Sequence, residues 1–334
     1  LKSGRRRQGY VGDGRMTLLS RHADNLFWIG RYVERAETNA RLLEVGQRNA
    51  LIPNIGGGYR NEWDSVLQAS GTAAAFGQKY GDPVQRNIES HLFYDNDNPS
   101  SVAACFLNAR ENGRIVRTSL TSQTWDALNT AHQEMLAFKR RERSSIEPSD
   151  LVDWTLRNAA LIRGSIEDTQ LRVDGFDFLN IGMYLERFDS TARLLDVKYF
   201  VLLPQVDLVG SGLDNYQWRT ILRAMSAHRA FAWAYGGEVT PYKIADFLIL
   251  NRKAPRSLIT CAEEVCWHMD RLARGYGKTT EAQTAARAIV AELAEMTVED
   301  VFDEGLHEFL TRMIGEVGRL SSVVTEVYLS GEAA

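Results

Sequence analysis

A helical stretch occurs twice in this chain, as YVERAETNARLLEV at residues 32–45 and as YLERFDSTARLLDV at residues 184–197. Both copies space their apolar residues as an amphipathic helix does, and both keep a Glu-Arg pair near the start. When the alignment is extended to residues 29–45 and 181–197, ten of seventeen positions are identical. Similarity of this length at a separation of 152 residues predicts an internal duplication.

The correspondence extends beyond the repeated helix. The stretch NPSSVAAC at residues 98–105 matches APRSLITC at residues 254–261, now at a separation of 156 residues. A separation that drifts slowly in this way is what small loop insertions produce. We therefore predict two tandem helical repeats, residues 16–167 and 168–334, that pack together as one pseudo-symmetric body.

Helical patterns dominate the remainder of the sequence. The chain has only 7 prolines, and amphipathic stretches occupy residues 120–142, 281–296 and 305–329. The alternation of apolar and polar residues that is typical of half-buried strands is nearly absent. We predict an all-α, multi-helix bundle with about ten to fourteen helices.

The composition excludes several broad classes of protein. Of 334 residues, 44% are hydrophobic and 25% are charged, and the formal net charge is -4. Such a mildly acidic chain has no general attraction to nucleic acid or to anionic lipid. Apolar runs are too short for a membrane span, and the three cysteines lack zinc-type spacing. We expect a cytoplasmic protein with neither a nucleic-acid partner nor a membrane association.

The first fifteen residues differ from the sequence that follows them. LKSGRRRQGYVGDGR at residues 1–15 is basic, rich in glycine and aperiodic, and the helical pattern begins only after Met16. We interpret residues 1–15 as an N-terminal extension that is flexible or derived from expression of the protein.

The arginines of the repeated Glu-Arg pairs have an unusual position on their helices. On a helical wheel, Arg35 lies inside an apolar arc that includes Trp28 and Leu42, and Arg187 occupies the corresponding place in the second copy. Burying a guanidinium group without a partner is costly. Each arginine is therefore expected to reach water or to pair with a carboxylate or a carbonyl group.

The acidic residues of the motifs fall on the polar side of the same wheel. Glu34 lies there close to Arg41, and Glu186 lies close to Arg193. Both of these arginines also follow an acidic residue by four positions, a spacing worth about 0.2–0.5 kcal/mol on an exposed helix. Two interpretations stay open. The motifs make ion pairs that fix how the two repeats dock, or they line a central cleft that binds an ionic ligand.

A separate basic stripe is predicted within ARENGRIVR at residues 109–117. Arg110, Arg114 and Arg117 follow one another at i, i+4 and i+7, with Glu111 beside them, and the aligned positions of the second repeat carry no such stripe. Because arginine forks bind carboxylates and phosphates, an acidic peptide or a nucleotide-bearing partner could bind here. A solvated charged face is the alternative interpretation.

Several motifs of this chain match those of one known family. They are SRHADNLFWIGRYVERAETNARLL at residues 20–43, ARENGRIVR at 109–117, TSQTWDALN at 121–129 and APRSL at 254–258. On these motifs the chain resembles the alpha-E domain family, although the family usually has AEN where this chain has HADN and AETN. The resemblance implies a bacterial helical protein that accompanies a circularly permuted ATP-grasp protein, a transglutaminase-like protease and sometimes a proteasome-like hydrolase. These associated proteins suggest a pathway that makes, attaches or trims amide-linked peptides.

The sequence contains no complete catalytic or cofactor-binding set. Glu304 and His307 form a single Glu-x-x-His, whereas a di-iron bundle needs two such helices. The glycines at residues 56–58 lack the Lys-Ser/Thr of a phosphate-binding loop. Cys105 and Cys261 stand at aligned positions among apolar residues, which predicts core packing. We therefore predict no metal and no cofactor.

Two functional hypotheses of different kinds follow. In the first, the chain is an accessory or scaffold protein of a peptide-amidation system that binds the ATP-grasp enzyme, an acidic peptide, or both. In the second, it is an enzyme subunit of transferase or ligase type whose ionic cleft of Glu34, Arg35, Arg110 and Arg114 positions a carboxylate or a phosphate. The candidate ligand-binding or ion-pair residues are Arg31, Glu34, Arg35, Arg41, Arg110, Glu111, Arg114, Arg117, Glu186, Arg187 and Arg193.

Overall fold

A computed structural model describes residues 20–51, 62–202 and 212–330 of the chain. Fifteen α-helices lie in these ranges: α1 (Ser20–Ala50), α2 (Glu62–Ser70), α3 (Ala73–Lys79), α4 (Gln85–Glu89), α5 (Val102–Ile115), α6 (Ser122–Arg140), α7 (Pro148–Thr169), α8 (Asp174–Leu202), α9 (Gly212–Ala224), α10 (His228–Tyr235), α11 (Pro241–Ala245), α12 (Leu258–Tyr276), α13 (Glu281–Glu295), α14 (Val298–Glu304) and α15 (Leu306–Val324). The interpretation of residues 1–15 and of the glycines at 56–58 lies outside the described ranges.

The predicted all-α class is confirmed, since the described residues contain no β-strand. The expected number of ten to fourteen helices is too low by one. The difference arises because α4 and α11 have five residues each, which is too short to show a helical period in the sequence. Short π-helical segments follow α4, α11 and α15. Among the described helices, none is both long and apolar enough to cross a membrane.

The two longest helices, α1 and α8, form the centre of the bundle and pack extensively against each other. Helices α2, α5, α7 and α9 cover α1, and helices α2, α9, α12 and α15 cover α8. The two central helices approach closely at Gly30 and Gly182. A Cβ atom at Gly30 would overlap the carbonyl oxygen of Leu179, and one at Gly182 would overlap that of Phe27. Only glycine permits this separation of the two backbones.

Helix α1 is buried on nearly all sides, which corrects one expectation from the helical wheel. Glu34 and Arg41, which the wheel places on a polar side, are both buried, and so is Glu37. The wheel assumes that one face of a helix meets solvent. Here α2, α5, α7, α8 and α9 all pack against α1, so its buried charged side chains need partners within the protein.

The segments that lead into α5 and α12 make the same capping contacts. Ser101 caps α5 by accepting a hydrogen bond from the amide of Ala104, and Ser257 caps α12 in the same way from Thr260. Each of these helices is also preceded by a π-helical segment, Ser90–Tyr94 before α5 and Asp246–Leu250 before α12. Such agreement at positions 156 residues apart is what an internal duplication predicts. The duplication and the boundaries of its two repeats stay predictions.

Candidate functional site

The two Glu-Arg motifs pair crosswise between α1 and α8. Arg35 of α1 donates to Glu186 of α8 through Nε at 2.6 Å and Nη2 at 2.9 Å. Arg187 of α8 donates to Glu34 of α1 through Nε at 3.2 Å and Nη2 at 2.9 Å. Each arginine inside an apolar arc therefore finds its carboxylate on the other helix. These bidentate pairs fix both the spacing and the register of the two helices.

Two further arginines converge on the first motif from outside the central helices. Arg256, just before α12, donates to Glu34 at 2.8 Å, and Arg163 of α7 donates to it at 3.3 Å. Both also contact Glu37, which in addition accepts a hydrogen bond from Arg41 at 2.9 Å. We call this group the Glu34 cluster; its members are Glu34, Glu37, Arg41, Arg163, Arg187 and Arg256.

The surroundings of the second motif differ. Arg31 donates to Glu186 at 2.7 Å and to the hydroxyl of Ser321 at 2.6 Å. Its guanidinium carbon also lies 5.3 Å from the ring centroid of Trp28, within the range of a cation–π contact. The residue aligned with Arg31 in the second copy is Met183, which makes no ion pair. The two Glu-Arg motifs therefore have different charged neighbours, and side chains of different shape occupy the aligned positions beside them.

Positive charge exceeds negative charge in the Glu34 cluster, which holds four guanidinium groups and two carboxylates. Burial alone would raise the pKa of Glu34, but Arg187, Arg256 and Arg163 hold that pKa well below its ordinary value. Burial and the nearby Arg256 guanidinium lower the pKa of Arg41. The charge of Arg256 thus disfavours the protonated form of Arg41. The surplus of positive charge therefore affects groups within the cluster itself.

A cavity of about 720 Å³ opens beside the Glu34 cluster, between α1, α7, α8 and α12. Arg163 and Arg187 belong to both the cluster and the cavity lining. Seven apolar or aromatic residues line the cavity as well: Val33, Ile166, Phe176, Leu179, Met183, Tyr184 and Trp267. The polar residues of the lining are Glu167, Arg172, Asn180, Glu263, Glu264 and His268. A concave apolar site with a few fixed polar groups is the usual form of a small-molecule site.

A buried histidine also lines this cavity. His268 of α12 contacts the carboxylate of Asp177 through Nδ1 at 2.7 Å, and Arg271 donates to the same carboxylate oxygen at 2.8 Å. Asp177 is itself buried. A carboxylate at Nδ1 orients the imidazole and favours a proton on Nδ1, so in the neutral ring Nε2 is a hydrogen-bond acceptor.

The structure brings together only part of the set predicted from the sequence. Arg31, Glu34, Arg35, Arg41, Glu186 and Arg187 lie in the central ionic core, and Arg193 pairs with Asp189 on α8 at 2.7 Å. The basic stripe lies elsewhere. Arg110 and Arg117 sit over the ring of Trp125, and Arg110 and Arg114 both pair with Glu111. Among the described contacts, none joins this stripe to the central core, so the proposed cleft of Glu34, Arg35, Arg110 and Arg114 is not formed.

Four residues of the site were not predicted from the sequence: Arg163, Arg256, Asp177 and His268. Arg163 and Arg256 lie outside the duplicated helix, and nothing in their local sequence shows that they turn toward it. Arg256 stands within the APRSL motif, and its aligned position in the first repeat is Ser100. That difference between the two predicted repeats was the one available signal that Arg256 belongs to the site.

The aligned cysteines are packed in the core, as predicted. Cys105 and Cys261 are fully buried, and burial raises the pKa of each thiol to about 12. Thiols with such pKa values are poor nucleophiles at neutral pH. Within the described ranges, no group of three or more His, Cys, Asp or Glu side chains is arranged to hold a metal ion.

Acid is expected to destabilise the protein through Glu186. Burial alone would raise the pKa of this carboxyl, but Arg35 and Arg31 hold it at about 2, below the ordinary 4.5. Because the pKa is lowered in the folded state, this stabilisation is complete above about pH 4.5 and is lost as the pH falls toward 2. It corresponds to about 3 kcal/mol of unfolding free energy at neutral pH.

Urea unfolding of the wild type and Glu186→Gln at pH 7 and pH 3 measures this contribution. The difference in unfolding free energy between the two proteins should shrink by about 2 kcal/mol at pH 3. A difference that stays constant between the two pH values would show that Glu186 is not held ionised by its arginines.

Comparison with known sequences agrees with this architecture. A family model described as a predicted alpha-helical domain with a conserved ER motif, named Alpha-E, matches residues 18–329. No curated protein and no solved structure matches the chain significantly. The match covers nearly the full length, and two Glu-Arg pairs form the ionic core of the described structure. The protein therefore belongs to the Alpha-E family.

Proposed function

We propose that this protein is a ligand-binding component that takes a small anionic molecule, with a carboxylate or phosphate group, into the cavity beside the Glu34 cluster. The observation that carries the proposal is the surplus of positive charge in the Glu34 cluster, which meets the cavity at two of its arginines. Four guanidinium groups of the cluster share two carboxylates, and two of the four, Arg163 and Arg187, line the cavity. A bound anion would balance the charge that the two carboxylates of the cluster leave uncompensated.

The cavity wall favours a strong interaction with such a group. Arg163 keeps 21% of its side chain exposed, whereas Glu34 and Glu37 beneath it are closed off at 0% and 1%. The carboxylates can therefore hold the guanidinium groups in place without being reached by a ligand themselves. Preset donors in a partly apolar cavity bind an anion more strongly than the same groups on an open surface.

We further propose that the ligand is shared with an ATP-grasp partner, and that a transglutaminase-like protease acts in the same pathway. This part rests on the family resemblance alone. Peptide amidation uses carboxylates and phosphorylated intermediates, and both are anions that suit the cavity. Copurification of the protein with the ATP-grasp protein is the test, and failure to associate at micromolar concentration would count against the partnership without affecting the cavity proposal.

Replacing Arg163 by alanine should weaken anion binding while leaving the fold intact. Glu34 keeps Arg187 and Arg256, and Glu37 keeps Arg41 and Arg256, so neither buried carboxylate loses all its partners. Loss of one charge-assisted hydrogen bond corresponds to at least about a tenfold loss of affinity. Isothermal titration calorimetry with N-acetyl-Glu-Glu and with inorganic pyrophosphate measures the change in affinity.

The matched control is Arg319→Ala, which removes an exposed arginine of α15 whose one ion pair among the described residues is with Glu316. This variant should bind both probes as the wild type does. If neither probe binds the wild type, or if Arg163→Ala binds as tightly as Arg319→Ala, the cavity is not an anion site.

A further inference from the structure

One carboxylate on the cavity wall has no cation of its own. Glu264 of α12 lines the cavity and is half-buried. Its neighbours on the wall are paired, Glu263 with Arg252 and Glu167 with Arg172. Glu264 makes no hydrogen bond or ion pair with any of the described residues. A half-buried carboxylate facing a cavity gains from a cationic or hydrogen-bond-donating ligand group.

The negative and positive parts of the wall act on the same region of the cavity. Tyr184 also lines the cavity, and its pKa is raised to about 12 by burial and then by the charge of Glu264, while Arg187 opposes the rise. One phenol group therefore feels both charges. A ligand of modest size can reach Arg187 with an anionic end and Glu264 with a cationic end.

A second hydrogen-bond acceptor lies near Glu264 on the same helix. His268 is 3% exposed and contacts Asp177 through Nδ1, so in the neutral ring Nε2 is an acceptor without a partner among the described residues. The neighbouring ring of Trp267 already faces the guanidinium of Arg271, whose carbon lies 4.9 Å from the ring centroid. The carboxylate of Glu264 and the imidazole acceptor together are suited to an ammonium group.

From this arrangement we infer that the ligand is bipolar: it carries a free amino group together with its anionic group, as an amino acid or a short peptide does. The anionic group lies at Arg163 and Arg187, and the ammonium group lies at Glu264 and Nε2 of His268. This inference rests on the proposed anion site and adds the class of ligand. The cavity of about 720 Å³ leaves room for more than one amino-acid residue, since sites for drug-sized ligands measure about 300–1,000 Å³.

The experiment compares two probes that differ only at the amino terminus, Glu-Glu and N-acetyl-Glu-Glu. Isothermal titration of the wild type should show that Glu-Glu binds at least about tenfold more tightly, since its ammonium group gains a charge-assisted hydrogen bond. In Glu264→Gln, which keeps the shape of the side chain and removes its charge, the two probes should bind with equal affinity. The affinity for N-acetyl-Glu-Glu should not fall.

Glu263→Gln serves as the control, because Glu263 lies one position away and is already paired with Arg252. It should keep the preference for the free amino terminus. Equal binding of both probes to the wild type, or a preference that survives Glu264→Gln, would overturn the inference while leaving the anion site standing. If neither peptide binds but pyrophosphate does, the inference is overturned and the anion site stands. If neither peptide nor pyrophosphate binds, both are overturned.

Discussion

Replacement of Glu34 by alanine is expected to lower the free energy of unfolding by about 3–5 kcal/mol, a large share of the roughly 5–15 kcal/mol that is typical of folded proteins. Glu34 is completely buried and accepts hydrogen bonds from Arg187, Arg256 and Arg163. Its removal would leave Glu37 as the one carboxylate of the Glu34 cluster, together with four guanidinium groups. Burying cations without compensation costs far more than the loss of one contact.

Urea unfolding followed by circular dichroism measures this loss. The control is Glu111→Ala, which removes a carboxylate that also contacts two arginines, Arg110 and Arg114, but is 36% exposed. Because exposed ion pairs contribute little, that variant should lose less than about 1 kcal/mol. Comparable losses in the two variants would show that the Glu34 cluster is not a buried structural centre.

Adding a single methyl group at the helix crossing should have an effect of similar size. In Gly30→Ala, the new Cβ would overlap the backbone of α8 at Leu179, and in Gly182→Ala it would overlap the backbone of α1 at Phe27. A backbone cannot move aside as a flexible side chain can. Helices α1 and α8 would have to separate, which stretches the crosswise ion pairs, and we expect a loss of about 3 kcal/mol or more for each variant.

The same substitution at Gly318 of α15 is the control, because a Cβ there would meet nothing within 4 Å. Alanine is the better helix former by about 0.8–1 kcal/mol, so Gly318→Ala should stabilise the protein by up to that amount. Thermal unfolding of the three variants gives the comparison. If Gly30→Ala also stabilises the protein, the two central helices do not approach as closely as described.

The sequence predicted that Arg35 and Arg187 need partners, but it did not identify those partners. A helical wheel shows which residues share a face, and here it placed both arginines inside apolar arcs. It carries no information about which neighbouring helix meets that face. The crosswise arrangement depends on the close approach at Gly30 and Gly182, and a backbone overlap of this kind becomes visible only in three dimensions.

The position of the cavity could not be read from the duplicated helix either. The asymmetry of the ionic core beside the cavity follows from two differences between aligned positions. Met183 stands where the first copy has Arg31, and Arg256 stands where the first predicted repeat has Ser100. Each difference is one substitution in a divergent alignment. Their joint effect is a larger surplus of arginine at Glu34 and Glu37 than at Glu186. It arises where Arg163 of α7 and Arg256, just before α12, meet the same carboxylates.

The basic stripe illustrates the opposite case. Arg110 and Arg114 lie on α5, but α5 ends at Ile115, so Arg117 lies beyond it in a 3-10 helical turn and the predicted stripe does not continue along one helix. What the spacing could not show is how fully they are engaged. Glu111 pairs with the first two, and the ring of Trp125 lies under Arg110 and Arg117. The Glu34 cluster holds four guanidinium groups and two carboxylates, and two of its arginines line the cavity that carries the proposed function.

A double-mutant cycle on Arg35 and Glu186 measures the coupling between the two Glu-Arg motifs. The single variants Arg35→Met and Glu186→Gln and the double variant are unfolded in urea at pH 7. Because the two side chains pair across α1 and α8 at 2.6 Å, the effects should deviate from additivity by at least about 1.5 kcal/mol. Effects that add within about 0.5 kcal/mol would mean that the motifs act independently, and would contradict the crosswise pairing.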